Sequence, residues 1–91
     1  MIMNTIYRAL SDPTRRKILK LLREGDMTAG EIARHFEISK PSLSKHFHIL
    51  QSANLIQGDK AGRQITYHLN LSVLEESILA LIDLFKLKEE Q

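Results

Sequence analysis

The sequence predicts a mainly α-helical fold carrying one β-hairpin. Three observations lead there. Apolar residues recur at three- and four-residue steps through most of residues 2–53. The period drops to two at Ile65, Tyr67 and Leu69, which alternate with Gln64, Thr66 and His68. Helical spacing then resumes from Leu71 in a broad apolar segment.

Taken in order, Ile2, Ile6 and Leu10 form one stripe of a short first helix. Asp12 followed by Pro13 opens a second helix over residues 13–24. Asp12 is a good N-cap, and proline at the first helical position loses no hydrogen bond. Ile18, Leu19, Leu21 and Leu22 are its buried side, and Gly25 ends it. Thr28-Ala29-Gly30-Glu31 has the spacing of a capping box and predicts a third helix over 28–36, with Ile32, Ala33 and Phe36 inward. After a tight turn at 37–39, Ser39 caps a fourth helix over 40–53, with Leu43, Phe47 and Leu50 as its inner stripe. Residues 55–57 and 64–69 are the two strands, joined by hairpin chemistry at Gly58-Asp59-Lys60-Ala61-Gly62. Ser72-Val73-Leu74-Glu75 reads as a second capping box, opening a last helix that runs to about residue 88. The order is α-α-α-α-β-β-α. Two short helices joined by a tight turn and followed by a hairpin spell a winged helix-turn-helix, one domain over 1–91.

The totals narrow the function. The chain has 91 residues and no cysteine, so disulfides and thiolate metal sites are excluded. A core this small favours association with a second copy. No signal peptide and no membrane span is read, so the expected compartment is the cytoplasm. Residues 1–70 hold eleven Lys/Arg against six Asp/Glu, whereas residues 71–91 hold two against five. All four histidines lie in the basic part. A basic front and an acidic last segment point to a polyanion on one face.

The stretch "ISKPSLSKHFHILQSANLI" (38–56) concentrates the polar chemistry. His46 and His48 point about 200° apart on a helix, so they cannot share one metal ion. No nucleophile, base and orienting group recur at a catalytic spacing, and no enzyme or cofactor is expected. Duplex DNA fits better. With Leu43, Phe47 and Leu50 inward, Pro41, Ser42, Ser44, Lys45 and His46 are candidates for base and groove contacts. Lys40, His48, Lys60, Arg63 and Gln64 are candidates for phosphate contacts, the last three from the hairpin. Arg15 and Arg16 sit in a first helical turn, where the helix dipole disfavours cations. That anomaly calls for a partner, a carboxylate such as Glu31 or a phosphate, with the internal carboxylate preferred.

On "SDPTRRKILKLL" (11–22), "MTAGEIARHFEISKPSLSKHFHIL" (27–50) and "GRQITYHLN" (62–70), the chain resembles the ArsR family of bacterial winged-helix repressors. In detail it looks most like the SdpR-type autorepressors, a branch without the metal site. The resemblance implies a homodimer joined through the first and last helices, binding double-stranded operator DNA and repressing transcription. It also implies release by a membrane-bound sequestering protein. Metal-sensing members place Cys-x-Cys on the third helix, where this chain has Ala33-Arg34-His35. A metal- or ligand-responsive sensor, or a protein-interaction module on the same fold, are the alternatives.

The last helix supports a dimer independently. Leu71, Leu74, Ile78, Leu81 and Phe85 form one stripe, flanked by Val73, Leu79, Ile82, Leu84 and Leu87. That arc is wider than one short domain can cover. The expected interface residues are Ile2, Ile6, Leu74, Ile78, Leu81 and Phe85. Two-fold symmetry would then place two reading helices about one duplex turn apart on a pseudo-palindromic operator.

Overall fold

A computed structural model describes residues 2–89, with side-chain surroundings described for 4–86. The elements are α1 (Ile2–Leu10), α2 (Pro13–Arg23), β1 (Met27–Thr28), α3 (Ala29–Ala33), α4 (Lys40–Ser52), β2 (Ile56–Ala61), β3 (Gln64–Leu69) and α5 (Leu71–Glu89). Mainly helical character and a hairpin wing both hold. The expected first and fourth helices match to within a residue, and so does the second.

The sheet has three strands rather than two, ordered β1-β3-β2 and antiparallel throughout. Met27 pairs with Tyr67 and Thr28 with Thr66, so β3 is the central strand. A two-residue strand is too short to show a period, and only the partner strand defines it. Thr28 then serves twice. It ends β1 and caps α3, its hydroxyl accepting from the Glu31 N–H at 3.1 Å while the Glu31 carboxylate accepts from the Thr28 N–H at 2.8 Å. The expected capping box is therefore present, but the helix it opens stops at Ala33, not 36. Tight i→i−3 bonds from His35 to Ile32 and from Phe36 to Ala33 close it.

The hairpin turn also moves. Gly58, Asp59, Lys60 and Ala61, expected as loop, are paired strand residues facing Tyr67, Thr66, Ile65 and Gln64. The loop itself is Gly62-Arg63, with Gly62 at φ 64°, the positive φ that a type II′ turn requires first. Similarly, α5 starts at Leu71, so Ser72 lies inside the helix and does not cap it. Asn70 takes the boundary position. Its backbone N–H donates to the Leu55 carbonyl at 2.9 Å and its side-chain amide to the Asn54 carbonyl at 2.8 Å.

Those two carbonyls belong to the C-terminal cap of α4. Asn54 adopts φ 59°, a left-handed value that asparagine tolerates. Its N–H donates to Gln51 and the Leu55 N–H to Leu50, the paired bonds of a Schellman motif. Leu50 and Leu55, the apolar pair of that motif, are both fully buried. The motif turns the chain from α4 directly into β2.

The core gathers Ile18, Ile32, Leu50 and Leu55 at full burial, with Ile6, Leu19, Leu22, Leu43, Phe47, Ile56 and Tyr67 around them. Phe47 and Tyr67 stack at 4.4 Å, joining α4 to the central strand. Only the first part of α5 takes part, through Val73, Leu74 and buried Ser77. Beyond it the helix leaves Ile78, Leu79, Ile82, Leu84 and Phe85 exposed, and the molecule is 52 Å long but about 24 Å across.

Candidate nucleic-acid interface

The α3–turn–α4 unit is held from behind by α2. The Lys17 ammonium donates to the His35 carbonyl at 3.0 Å and lies 4.9 Å from the Phe36 ring centroid. That contact braces the turn at residues 34–39. Ser39 caps α4, its hydroxyl oxygen accepting from the Ser42 N–H at 3.3 Å and its hydroxyl donating to Ser42 Oγ at 3.0 Å. Ser42 therefore retains its own O–H hydrogen for an outside acceptor.

Leu43, Phe47 and Leu50 are buried as expected. At about 100° per residue, Pro41, Lys45 and Ser52 lie roughly opposite that stripe. Lys40, Pro41, Ser42, Ser44, Lys45 and His48 are all exposed. The helix carries no acidic residue. On the wing, Lys60, Arg63 and Gln64 are exposed around the Gly62-Arg63 loop. The wing's one carboxylate, Asp59, lies 3.4 Å from the ring of His68 on the neighbouring strand. Exposed cations thus stand on both α4 and the wing, at the two places where such a fold can meet a duplex.

His46 departs from this set. Its ring is largely covered, and Nδ1 lies 3.1 Å from Arg15 Nη1 and 3.9 Å from the Asp12 carboxylate. It flanks the inner stripe and is already engaged inside the chain, so we withdraw it from the residues facing outward.

Arg15 itself corrects a second expectation. Its partner is neither Glu31 nor a phosphate. The buried guanidinium donates through Nε to the Ala9 carbonyl at 3.0 Å and through Nη2 to the Arg8 carbonyl at 2.7 Å. Arg16 Nη1 donates to the Leu10 carbonyl at 2.9 Å. Both arginines donate to carbonyls at the C-terminus of α1, where the helix dipole favours cations; the Arg8 carbonyl also accepts from the Ser11 N–H at 3.3 Å and the Ser11 hydroxyl at 2.9 Å. Their placement in the first turn of α2 looked unfavourable only because the end of α1 was not in view. Asp12 completes the junction by accepting from the Arg15 N–H at 3.1 Å. Burial pushes the Asp12 carboxyl up, but the hydrogen bond from the Arg15 N–H and the Arg15 charge act against it, and the group lies below its ordinary value.

The expected dimer residues divide. Ile6 is buried in the chain's own core, and Leu74 is half-buried against it. Ile6 is thus a core residue, because the 100° step turns it towards Ile18 and its neighbours rather than outward. Ile78 and Phe85 are exposed and Leu81 is half-buried. The side chain of Ile2 lies outside the described residues. Leu71, Leu79, Ile82 and Leu84 extend the exposed apolar surface of α5, and on α1 Tyr7 is exposed as well. Among the described residues, no three of His, Asp and Glu gather as a metal site, and no helix is long and apolar enough to cross a membrane.

Comparison with known proteins agrees with this geometry. The transcriptional repressor SdpR of Bacillus subtilis (strain 168) is 58% identical over 76 residues, covering 84% of either chain. An arsenical resistance operon repressor of Staphylococcus xylosus is 38% identical over 80% of this chain and 70% of its own. A crystal structure described as an ArsR family transcriptional regulator superposes with TM-score 0.87 at 33% identity, covering 99% of this chain and 93% of that one. Residues 12–58, from the Asp12 cap to the middle of β2, match the family described as bacterial regulatory protein, arsR family. The chain belongs to the arsR family of bacterial regulatory proteins.

Proposed function

We propose that this chain is a DNA-binding transcriptional repressor that occupies a pseudo-palindromic operator as a homodimer. One observation carries the reading. The outward face of α4 is free of acid, exposed from Lys40 to His48 except at its buried stripe and His46, and flanked by a wing with Lys60 and Arg63 at its tip. Pro41, Ser42, Ser44 and Lys45 face the major groove. Lys40, His48, Lys60, Arg63 and Gln64 contact phosphates on either side. The exposed apolar face of α5 supports the dimer, because a surface with Ile78, Ile82 and Phe85 in one stripe is costly to leave in water. Its similarity to the repressor SdpR and to an arsenical resistance operon repressor supports the sign of regulation. Control of its own promoter follows the resemblance to the SdpR-type branch.

The test is a gel shift on the chain's own promoter and on a scrambled duplex, at two salt concentrations. Lys45→Ala is expected to weaken specific binding by about 1–3 kcal/mol if it reads a base. A phosphate-only role would weaken both duplexes alike and flatten the salt slope by about one. Absence of any promoter shift at low salt, with the chain folded, rejects the function.

A further inference from the structure

The junction of Arg15, His46 and α1 lies outside the outward face of α4, and no duplex contact explains it. Arg15 is buried, yet all three nitrogens of its guanidinium have acceptors in the chain. Two of these acceptors are the last carbonyls of α1, and the third is a ring nitrogen on α4. A guanidinium only donates, so the 3.1 Å contact requires His46 Nδ1 to be the acceptor and places the ring hydrogen on Nε2. α1 and α4 also share the apolar core through Ile6, Ala9, Phe47 and Leu50, and apolar packing of that kind permits small sliding. A fork with fixed angles on both sides does not.

We infer that Arg15 is a positioning residue for the reading helix: one guanidinium ties the C-terminus of α1 to His46 and fixes the seat of α4 against the N-terminal helix. This rests on the reading of α4 as the duplex-contacting helix. The tie makes the pose of α4 depend on α1, which also presents exposed Tyr7 beside the expected subunit interface. Its loss should reduce operator affinity without changing which base pairs are preferred, because neither side chain touches a base.

Three measurements test it. In the free protein, NMR of the arginine side chains should show Arg15 Nη hydrogens held in slow exchange. His46→Ala should release the Nη1 pair while the Nε hydrogen stays protected. On the operator, His46→Ala and Arg15→Lys are each expected to lower affinity roughly three- to tenfold, the scale of one buried hydrogen bond. The double variant should lose no more than the worse single one, and His46→Gln, which keeps an acceptor, should recover most of the loss. Losses that multiply in the double variant overturn the proposal, as does a changed preference at one base pair in His46→Ala. Should Arg15→Lys fail to fold, the His46 variants and the wild-type spectrum decide alone. Failure of the wild-type chain to bind any operator would overturn the duplex reading, whereas freely rotating Arg15 Nη hydrogens would overturn the tie itself.

Discussion

Gly58→Ala tests the packing that joins the wing to α4. Gly58 lies opposite Tyr67 in the β2–β3 ladder. A Cβ there would stand 2.9 Å from Tyr67 Cε1, 3.1 Å from Ile65 Cγ2 and 3.2 Å from Tyr67 Cδ1. The Tyr67 ring is 5% exposed and stacks on Phe47, so it cannot retreat without displacing α4. Overpacking of this kind costs about 1–3 kcal/mol. Alanine also restricts the unfolded chain, which offsets about 0.4–1 kcal/mol. The net expectation is a loss centred on about 1.3 kcal/mol, or a fall of roughly 5–10 °C in Tm for a domain of this size. Thermal denaturation followed by circular dichroism measures it, at one fixed protein concentration because a dimer's midpoint depends on concentration. In a Tyr67→Leu background the same change should cost markedly less, since the obstructing ring is gone and the Ile65 Cγ2 contact remains. An unchanged or raised Tm for Gly58→Ala in the wild-type background would refute the reasoning.

If α5 forms the proposed dimer, Ile82→Asp should leave a folded chain that elutes and scatters light as a monomer, because Ile82 is 49% exposed in the single chain and a second copy would cover it. Leu81, half-buried within the chain, would confound the same test by burdening the core. Thr28→Ala removes the hydroxyl half of the capping box and should cost about 0.5–2 kcal/mol in urea denaturation; a loss below that range would mean that β1 pairing alone holds the start of α3. Asp12 and Glu31 both titrate below their ordinary values of 3.8 and 4.5 when folded, Glu31 because it accepts from the Thr28 N–H and hydroxyl. Depressed carboxylates contribute stability that is complete above the unfolded values and lost as pH falls through the folded ones. Tm should therefore hold down to roughly pH 5 and fall below about pH 4, and Asp12→Asn with Glu31→Gln should flatten that fall. An equally steep acid limb in the double variant would assign it to other groups.

The elements legible in the chain were those whose signals lie within a few residues of one another. Asp12-Pro13, the Thr28–Glu31 box and the Leu43, Phe47, Leu50 stripe appear in the structure as read. The alternation at Ile65, Tyr67 and Leu69 also holds, with Tyr67 buried and the other two packed on the core. α4 was legible for the same reason, since a cap, a stripe and an outward face are all properties of one helix.

Local signals failed where two of them competed or where a partner stood far off in sequence. Gly58 and Gly62 were equally good turn residues by composition, and strand pairing chose Gly62-Arg63 for the loop. Ser72 had capping-box spacing, yet Asn70, bonded to the end of α4, set the start of α5.

By itself, then, the sequence determined the helices, their buried sides, the half-buried strand and a basic outward face on 40–48, because periodicity and capping are short-range. Only the tertiary structure decided that Met27–Thr28 is a strand, that Ile6 belongs to the core, and that the Arg15 guanidinium bonds the end of α1 and His46 rather than Glu31. Each of these depends on which distant backbone or ring comes within hydrogen-bond or packing distance. No spacing along the chain encodes that.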